Sequence, residues 1–186
     1  MKKVLWVIAI LSLFVLSGCF TLPSQNVGFD DPIQMVKSLE ADLLYVAKNY
    51  SYEEDPLKVS DELAKIIEKY FYLDNSLNDY EDGKDKAVDL VASQMALAIG
   101  ILQSLAESFG GSIDEVFEVN NPNFSKIDTP TVPDAIQVSV DEVGAVTYTD
   151  GAGNEVQQIV VRIAGKWFAG IIYYDSGNVK HYPSSE

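Results

Sequence analysis

Two side chains in this sequence carry reactivity of their own, Cys19 and His181, and each type occurs once. A cysteine thiolate is a nucleophile and metal ligand, and an imidazole exchanges protons near neutral pH. Neither has companions at a useful spacing. His181 lies beside Tyr182 near the end of the chain, with no residue placed to orient it as a general base. It reads as a frayed terminal residue. Cys19 closes the run Leu16-Ser17-Gly18-Cys19 directly behind an apolar segment. One histidine and one cysteine exclude the usual multi-histidine and thiolate zinc sites.

Oxygen ligands are denser. Asp74, Asn75, Asn78, Asp79, Glu81, Asp82 and Asp85 crowd around Gly83, and calcium takes about six to eight oxygens. Aligning Gly83 with the sixth position of an EF-hand loop puts Tyr80 third and Asp89 twelfth, a poor match to the pattern of ligands. The stretch reads as a solvated acidic turn. The sequence has no glycine-rich phosphate loop, no Gly-x-Ser-x-Gly elbow and no ordered Ser/His/Asp set. No catalytic residue, metal ligand or cofactor is assigned, and the chain is not read as an enzyme.

Aromatic residues offer recognition rather than reaction. Tyr45, Tyr50, Tyr52, Tyr70, Phe71, Tyr72 and Tyr80 gather around the ends of two predicted helices. They read as packing residues with hydroxyls at the rim. If the helices are antiparallel neighbours, these ends lie at opposite poles. Trp167, Phe168, Tyr173 and Tyr174 fall on both faces of one predicted hairpin strand. One face covers the helices. The other is expected to need a partner, a second subunit or the tether, which makes these four the candidate interaction residues.

The elements that must position them follow from periodicity. A first helix is predicted over residues 32–50, with Asp31 as N-cap, Pro32 in the first position and an apolar stripe through Val36, Leu39, Leu43, Val46, Ala47 and Tyr50. A second is predicted over 61–72 with Ser60 as N-cap. A third, over 84–109, is apolar on most sides and uncharged from Ala92 to Ala106. Such a helix is expected at the buried centre of a fold. Residues 120–134, rich in proline and asparagine, read as a crossing loop. From Ala135 the period becomes two. Ile136, Val138 and Val140 alternate with polar residues, and a phase change predicts a bulge near Gly144. Residues 150–154, Ala164-Gly165 and 175–178 are turns between strands. The expected fold is α+β, with three helices packed on a C-terminal antiparallel β-meander.

The N-terminus adds a location. Lys2 and Lys3 precede a run of about a dozen apolar residues, where a membrane-crossing helix needs roughly 20. Followed by Leu16-Ser17-Gly18-Cys19, this resembles the leader and lipobox of bacterial lipoproteins. The resemblance implies a signal peptide over residues 1–18, cleavage before Cys19 and a diacylglycerol thioether on its sulfur. It also implies acylation, with palmitate for instance, of the new amino terminus. Residues 19–30 then form a lipidated tether and 31–186 a single domain. Two or three acyl chains anchor stably where one does not. Phe20 rather than Asp follows the cysteine. By resemblance to the sorting rule, that implies the outer membrane facing the periplasm in a two-membrane cell, or the outer face of the cytoplasmic membrane in a one-membrane cell.

The run Val160-Val161-Arg162-Ile163-Ala164-Gly165-Lys166-Trp167-Phe168, behind helices and within a meander, resembles the nuclear-transport-factor-2-like (cystatin-like) fold. That resemblance implies a sheet curled around a cavity that binds a small ligand, catalyses, or dimerises. The family has a strand between its second and third helices, and residues 73–83 are too acidic and turn-rich to supply a good one. The net charge of −15 leaves no footprint for phosphate backbones, so nucleic acid is excluded as a partner. The expected function is a lipid-anchored, non-enzymatic interaction or assembly module of the cell envelope, engaging an envelope protein or its own copy. The alternative is a module binding a small apolar ligand between sheet and helices.

Overall fold

The computed structural model describes residues 27–79 and 83–183. The leader, Cys19 and the first part of the tether lie outside the described residues, as do Tyr80, Glu81 and Asp82.

Helix α1 spans Pro32–Asn49, and the Asp31 carboxylate accepts from the Gln34 N–H at 2.7 Å. Helix α2 spans Pro56–Tyr70 and repeats the device, with Asp55 accepting from the Lys58 N–H at 3.1 Å. It therefore begins before the predicted residue 61. Asp55-Pro56 is the stronger start signal, since proline suits the first helical position. Ser60 is an interior residue whose hydroxyl meets that of Ser93 at 3.2 Å. Strand β1 (Phe71–Leu73) follows at once, then a 3₁₀ turn over Asn75–Asp79. A strand thus does stand between the second and third helices, carried by Phe71 and Tyr72 ahead of the acidic stretch. Helix α3 is Lys84–Phe109 and α4 is Asp114–Phe117.

The β half comprises β2 (Asn120–Lys126), β3 (Glu142–Thr149), β4 (Glu155–Ile163), β5 (Lys166–Phe168), β6 (Gly170–Asp175) and β7 (Asn178–Tyr182). The antiparallel meander runs β2-β3-β4-β5, and a second sheet has the order β1-β6-β7, with β1 parallel to β6. The fold is α+β, with helices on a C-terminal antiparallel meander.

Three local expectations are corrected. Residues 120–126 are a strand, not a loop. Pro122 is tolerated because β2 is an edge strand, where a missing N–H breaks no ladder, and the register with β3 shifts between Asn120 and Asn123. The bulge expected near Gly144 is absent, since β3 pairs with β4 in continuous register from Glu142 to Thr149. Gly144 is there for space: a Cβ would lie 2.3 Å from the Phe124 ring. Residues 135–140 are not a strand. Ile136, Val138 and Val140 do turn inward as their alternation implies, but the backbone N–H groups of Gln137 and Val138 go to the Asp74 carboxylate instead of a neighbouring strand.

The predicted strand 166–174 is split. At Ala169 the chain leaves β4, and the Ala169 N–H donates to the Tyr70 carbonyl at 2.8 Å. It continues as β6 between β1 and β7. One core lies between the helices and the inner sheet faces and includes Trp167, Ile172 and Val146. A second lies behind the sheets around Phe168, Ile171 and Tyr173, closed by residues 127–140.

Candidate interaction face

The aromatic hairpin is interior. Trp167, Phe168 and Tyr173 are buried, and Tyr174 is partly buried. Trp167 meets Phe124 edge-on at 5.0 Å, and Phe168 meets Tyr72 edge-on at 5.5 Å. The backbone N–H of Tyr174 donates to the Ser76 hydroxyl at 3.1 Å. The face that was expected to need an outside cover has one from its own chain. Ile136 is buried on it, and Ile127, Val132, Val138 and Val140 pack around. The helix-end aromatics also divide. Tyr70 is buried, stacks on Phe29 at 5.3 Å and donates its hydroxyl to Asp42, whereas Tyr45 stays 56% exposed.

The third helix is not the buried centre. It packs chiefly on α2, and three contacts fix its rotation. The Gln103 amide donates to the carbonyls of Ala47 and Tyr50 at 2.8 and 2.7 Å, and its oxygen accepts from the Tyr52 N–H at 3.1 Å. Ser93 meets Ser60 on α2. Gly100 sits under the Tyr52 ring, where a Cβ would come within 2.5 Å. Val88, Ala92, Met95, Ala96, Ile99 and Leu102 are thereby turned inward.

At 3.6 residues per turn, that rotation leaves Leu90, Leu97, Ala98, Ile101 and Leu105 on the opposite arc. Leu97 is 44% exposed and Ile101 39% exposed, while Leu90, Ala98 and Leu105 are partly exposed. Ser93 and Ser104 border the arc, Gln94 turns toward the cleft beside Phe71 and His181, and no charged residue interrupts the helix between Asp89 and Glu107. Lys84–Ser108 is long and apolar enough to cross a membrane on length and composition alone. Its inner side is nonetheless committed to α2. An apolar stripe of four turns facing out of an acidic protein is the strongest unsatisfied feature among the described residues.

Several titratable groups among the described residues are largely withdrawn from water. Asp74 is fully buried and accepts from the N–H groups of Ser76 (2.8 Å), Gln137 (3.1 Å) and Val138 (3.0 Å). It is a structural clamp, so the acidic stretch loses one of its proposed oxygen ligands to the fold. Lys84 is also buried. Burial lowers its ammonium to about 8, with the Asp74 carboxylate opposing the shift. Glu40 accepts from the Tyr148 hydroxyl at 2.8 Å. Burial pushes its carboxyl up to about 7 in spite of that hydrogen bond. His181 corrects the expectation of a frayed end. It lies in β7 opposite Ile172, meets Phe71 edge-on at 5.6 Å, and burial lowers it to about 4. The adjoining cleft, between Val91 and Val179, measures about 20 Å³. That is room for a water molecule and not for an organic substrate.

Glu40 and His181 act on stability in opposite senses. Between about 4.5 and 7 the folded chain holds a proton on Glu40 that the unfolded chain releases. Its contribution is present below that window and lost as pH rises through 7. The buried neutral His181 contributes above 6.5, and that contribution is lost as pH falls through about 4. Glu40→Gln keeps an acceptor for Tyr148 and removes one of the two slopes. Its Tm relative to the parent is expected to climb from pH 5 to about pH 7 and to level off above that. Parallel Tm profiles for the two proteins would contradict the assignment.

Comparison with protein-family models, with curated proteins and with solved structures finds no match to this chain. The α3 stripe escaped the sequence reading because an apolar helix without charges reads as buried on all sides. The signal was the helix's own surplus: more apolar arc than one neighbouring helix can cover.

Proposed function

We propose that this protein is a lipid-anchored, non-enzymatic interaction module of the cell envelope, and that the outward face of α3 is its contact surface. The observation that supports the contact surface is the apolar arc from Leu90 to Leu105, held outward by Gln103, Ser93 and Tyr52. Burying an arc of this kind is worth about 25 cal/mol for each Å² removed from water. The anchor rests on Leu16-Ser17-Gly18-Cys19 behind the apolar leader. The lipid would hold the domain at the membrane while its negative charge keeps it off anionic head groups.

The two parts of the proposal separate in one experiment on the full-length chain in its membranes. Cys19→Ala is expected to lose incorporation of an alkynyl fatty acid and to leave the membrane fraction. Leu97→Glu/Ile101→Glu is expected to keep both, to change stability by no more than about 1 kcal/mol because both sites are exposed, and to abolish chemical cross-linking to its partner. Undiminished cross-linking in the double variant would remove α3 from the account. Undiminished acylation in Cys19→Ala would remove the anchor.

A further inference from the structure

The apolar stripe does not stop at the edge of α3. The Ser60 and Ser93 hydroxyls meet at 3.2 Å, and Tyr52, just ahead of α2, covers Gly100. These two contacts set the register of α2 and α3 as an antiparallel pair. By that register Leu57, three residues before Ser60, falls beside Leu97, four residues after Ser93. Residues three and four apart share a helix flank, so each leucine lies on the flank that carries its serine. Leu57 is 77% exposed. The two helices therefore form an apolar groove, with Leu57 on one wall and Leu97 and Ile101 on the other.

The charges around this groove are of one sign. Glu53 and Glu54 stand beside its Leu57 wall, and Asp61 lies one turn further along α2. Asp89 and Glu107 stand at the two ends of the stripe, and all five are exposed. The exposed lysines of the two helices do little to balance them. Lys58 lies over the Tyr50 ring at 5.2 Å, and Lys65 and Lys69 pair with Glu62 and Asp42 at 2.6 and 2.7 Å. Lys86 stands about three turns before Leu97.

Resting on the reading of the α3 face as the contact surface, we infer that its occupant is a cationic amphipathic segment of another envelope protein. Its apolar residues enter the groove beside Leu57, Leu97 and Ile101, and its Lys or Arg residues meet Glu53, Glu54 and Asp61. An amphipathic helix laid in a groove is a recurrent form of recognition, anchored by residues three and four apart. Complementary charge at the rim speeds encounter and rejects wrong partners. The same rim disfavours a second copy, which brings −15 of its own for the sequence as given, and it disfavours anionic head groups.

The test places a photo-crosslinking amino acid at Leu57 of the full-length chain in living cells, and the cross-linked peptide is sequenced by mass spectrometry. The adduct is expected to map to another protein, on a segment where Lys or Arg flanks apolar residues three and four apart. Glu54→Lys/Asp61→Lys in that background is expected to reduce the adduct several-fold. Asp128→Lys/Asp134→Lys makes the same change in net charge on exposed residues of the segment behind the sheets, and is expected to leave the adduct as it is. Equal loss in the two variants would assign the effect to net charge and overturn the inference. An adduct to a second copy, or to an acidic or uncharged segment of another protein, would overturn it and leave the α3 face as the contact surface. So would an adduct from Ile101 with none from Leu57. An adduct to lipid alone, or none from either position, would overturn both.

Discussion

Asp74→Ala is expected to lower stability by about 3–5 kcal/mol, the largest effect of any polar substitution in this chain. A buried hydrogen-bond donor left without its acceptor costs about 1–3 kcal/mol, and Asp74 serves the N–H groups of Ser76, Gln137 and Val138. Removing the carboxylate also leaves buried Lys84 with less compensating charge. A domain of this size has roughly 5–15 kcal/mol in all, so the variant would sit near its folding threshold at growth temperature. Asp74→Asn retains one acceptor oxygen and is expected to lose about half as much. The damage should begin in one place. Residues 135–140 have no strand partner, and Asp74 is what ties Gln137 and Val138 to the 3₁₀ turn, so amide exchange there should accelerate first. Urea denaturation of the two variants, with hydrogen exchange on the Asn form, tests this. Equal midpoints for parent and Asp74→Ala would contradict the clamp.

The second large effect is Phe168→Ala, with an expected loss of about 3–5 kcal/mol, typical for a deleted core aromatic. Phe168 is 2% exposed and packs with Tyr72, Ile171 and Tyr173 in the core behind the sheets. Residues 127–140 lie over that core, so the void could close only by moving a segment that Asp74 already fixes. An association surface behaves differently: the same substitution would leave the melting temperature nearly unchanged and weaken binding. Thermal melts of Phe168→Ala against Leu97→Ala therefore distinguish a core hairpin from a docking hairpin. The account expects a large drop for Phe168 and a small one for Leu97. The reverse order would return the interaction surface to the hairpin.

These residues also show what sequence can carry. Asp31-Pro32 gave the start of α1, because the cap, the proline and the apolar stripe are all local. The same pair at Asp55-Pro56 starts α2, but the polar residues after it and a plausible cap at Ser60 concealed it. The alternation of Ile136, Val138 and Val140 correctly predicts which side chains face inward. It cannot predict that the backbone would bond to a carboxylate 63 residues away. Trp167, Phe168, Tyr173 and Tyr174 were legible as aromatics on two faces. What covers the second face depends on where residues 127–140 return, which is a tertiary matter. For α3, composition indicated burial, while the outward face was decided by Gln103 bonding to Ala47 and Tyr50 at the end of α1 and to Tyr52 just beyond it.

The most direct test of the contact surface places a photo-crosslinking amino acid at Ile101 in the full-length chain, in living cells, with the same residue at exposed Lys65 on α2 as control. The account predicts a discrete adduct from position 101 and none from position 65. An adduct from position 65 with none from 101 would contradict it, and the α3 face would then be an unengaged surface.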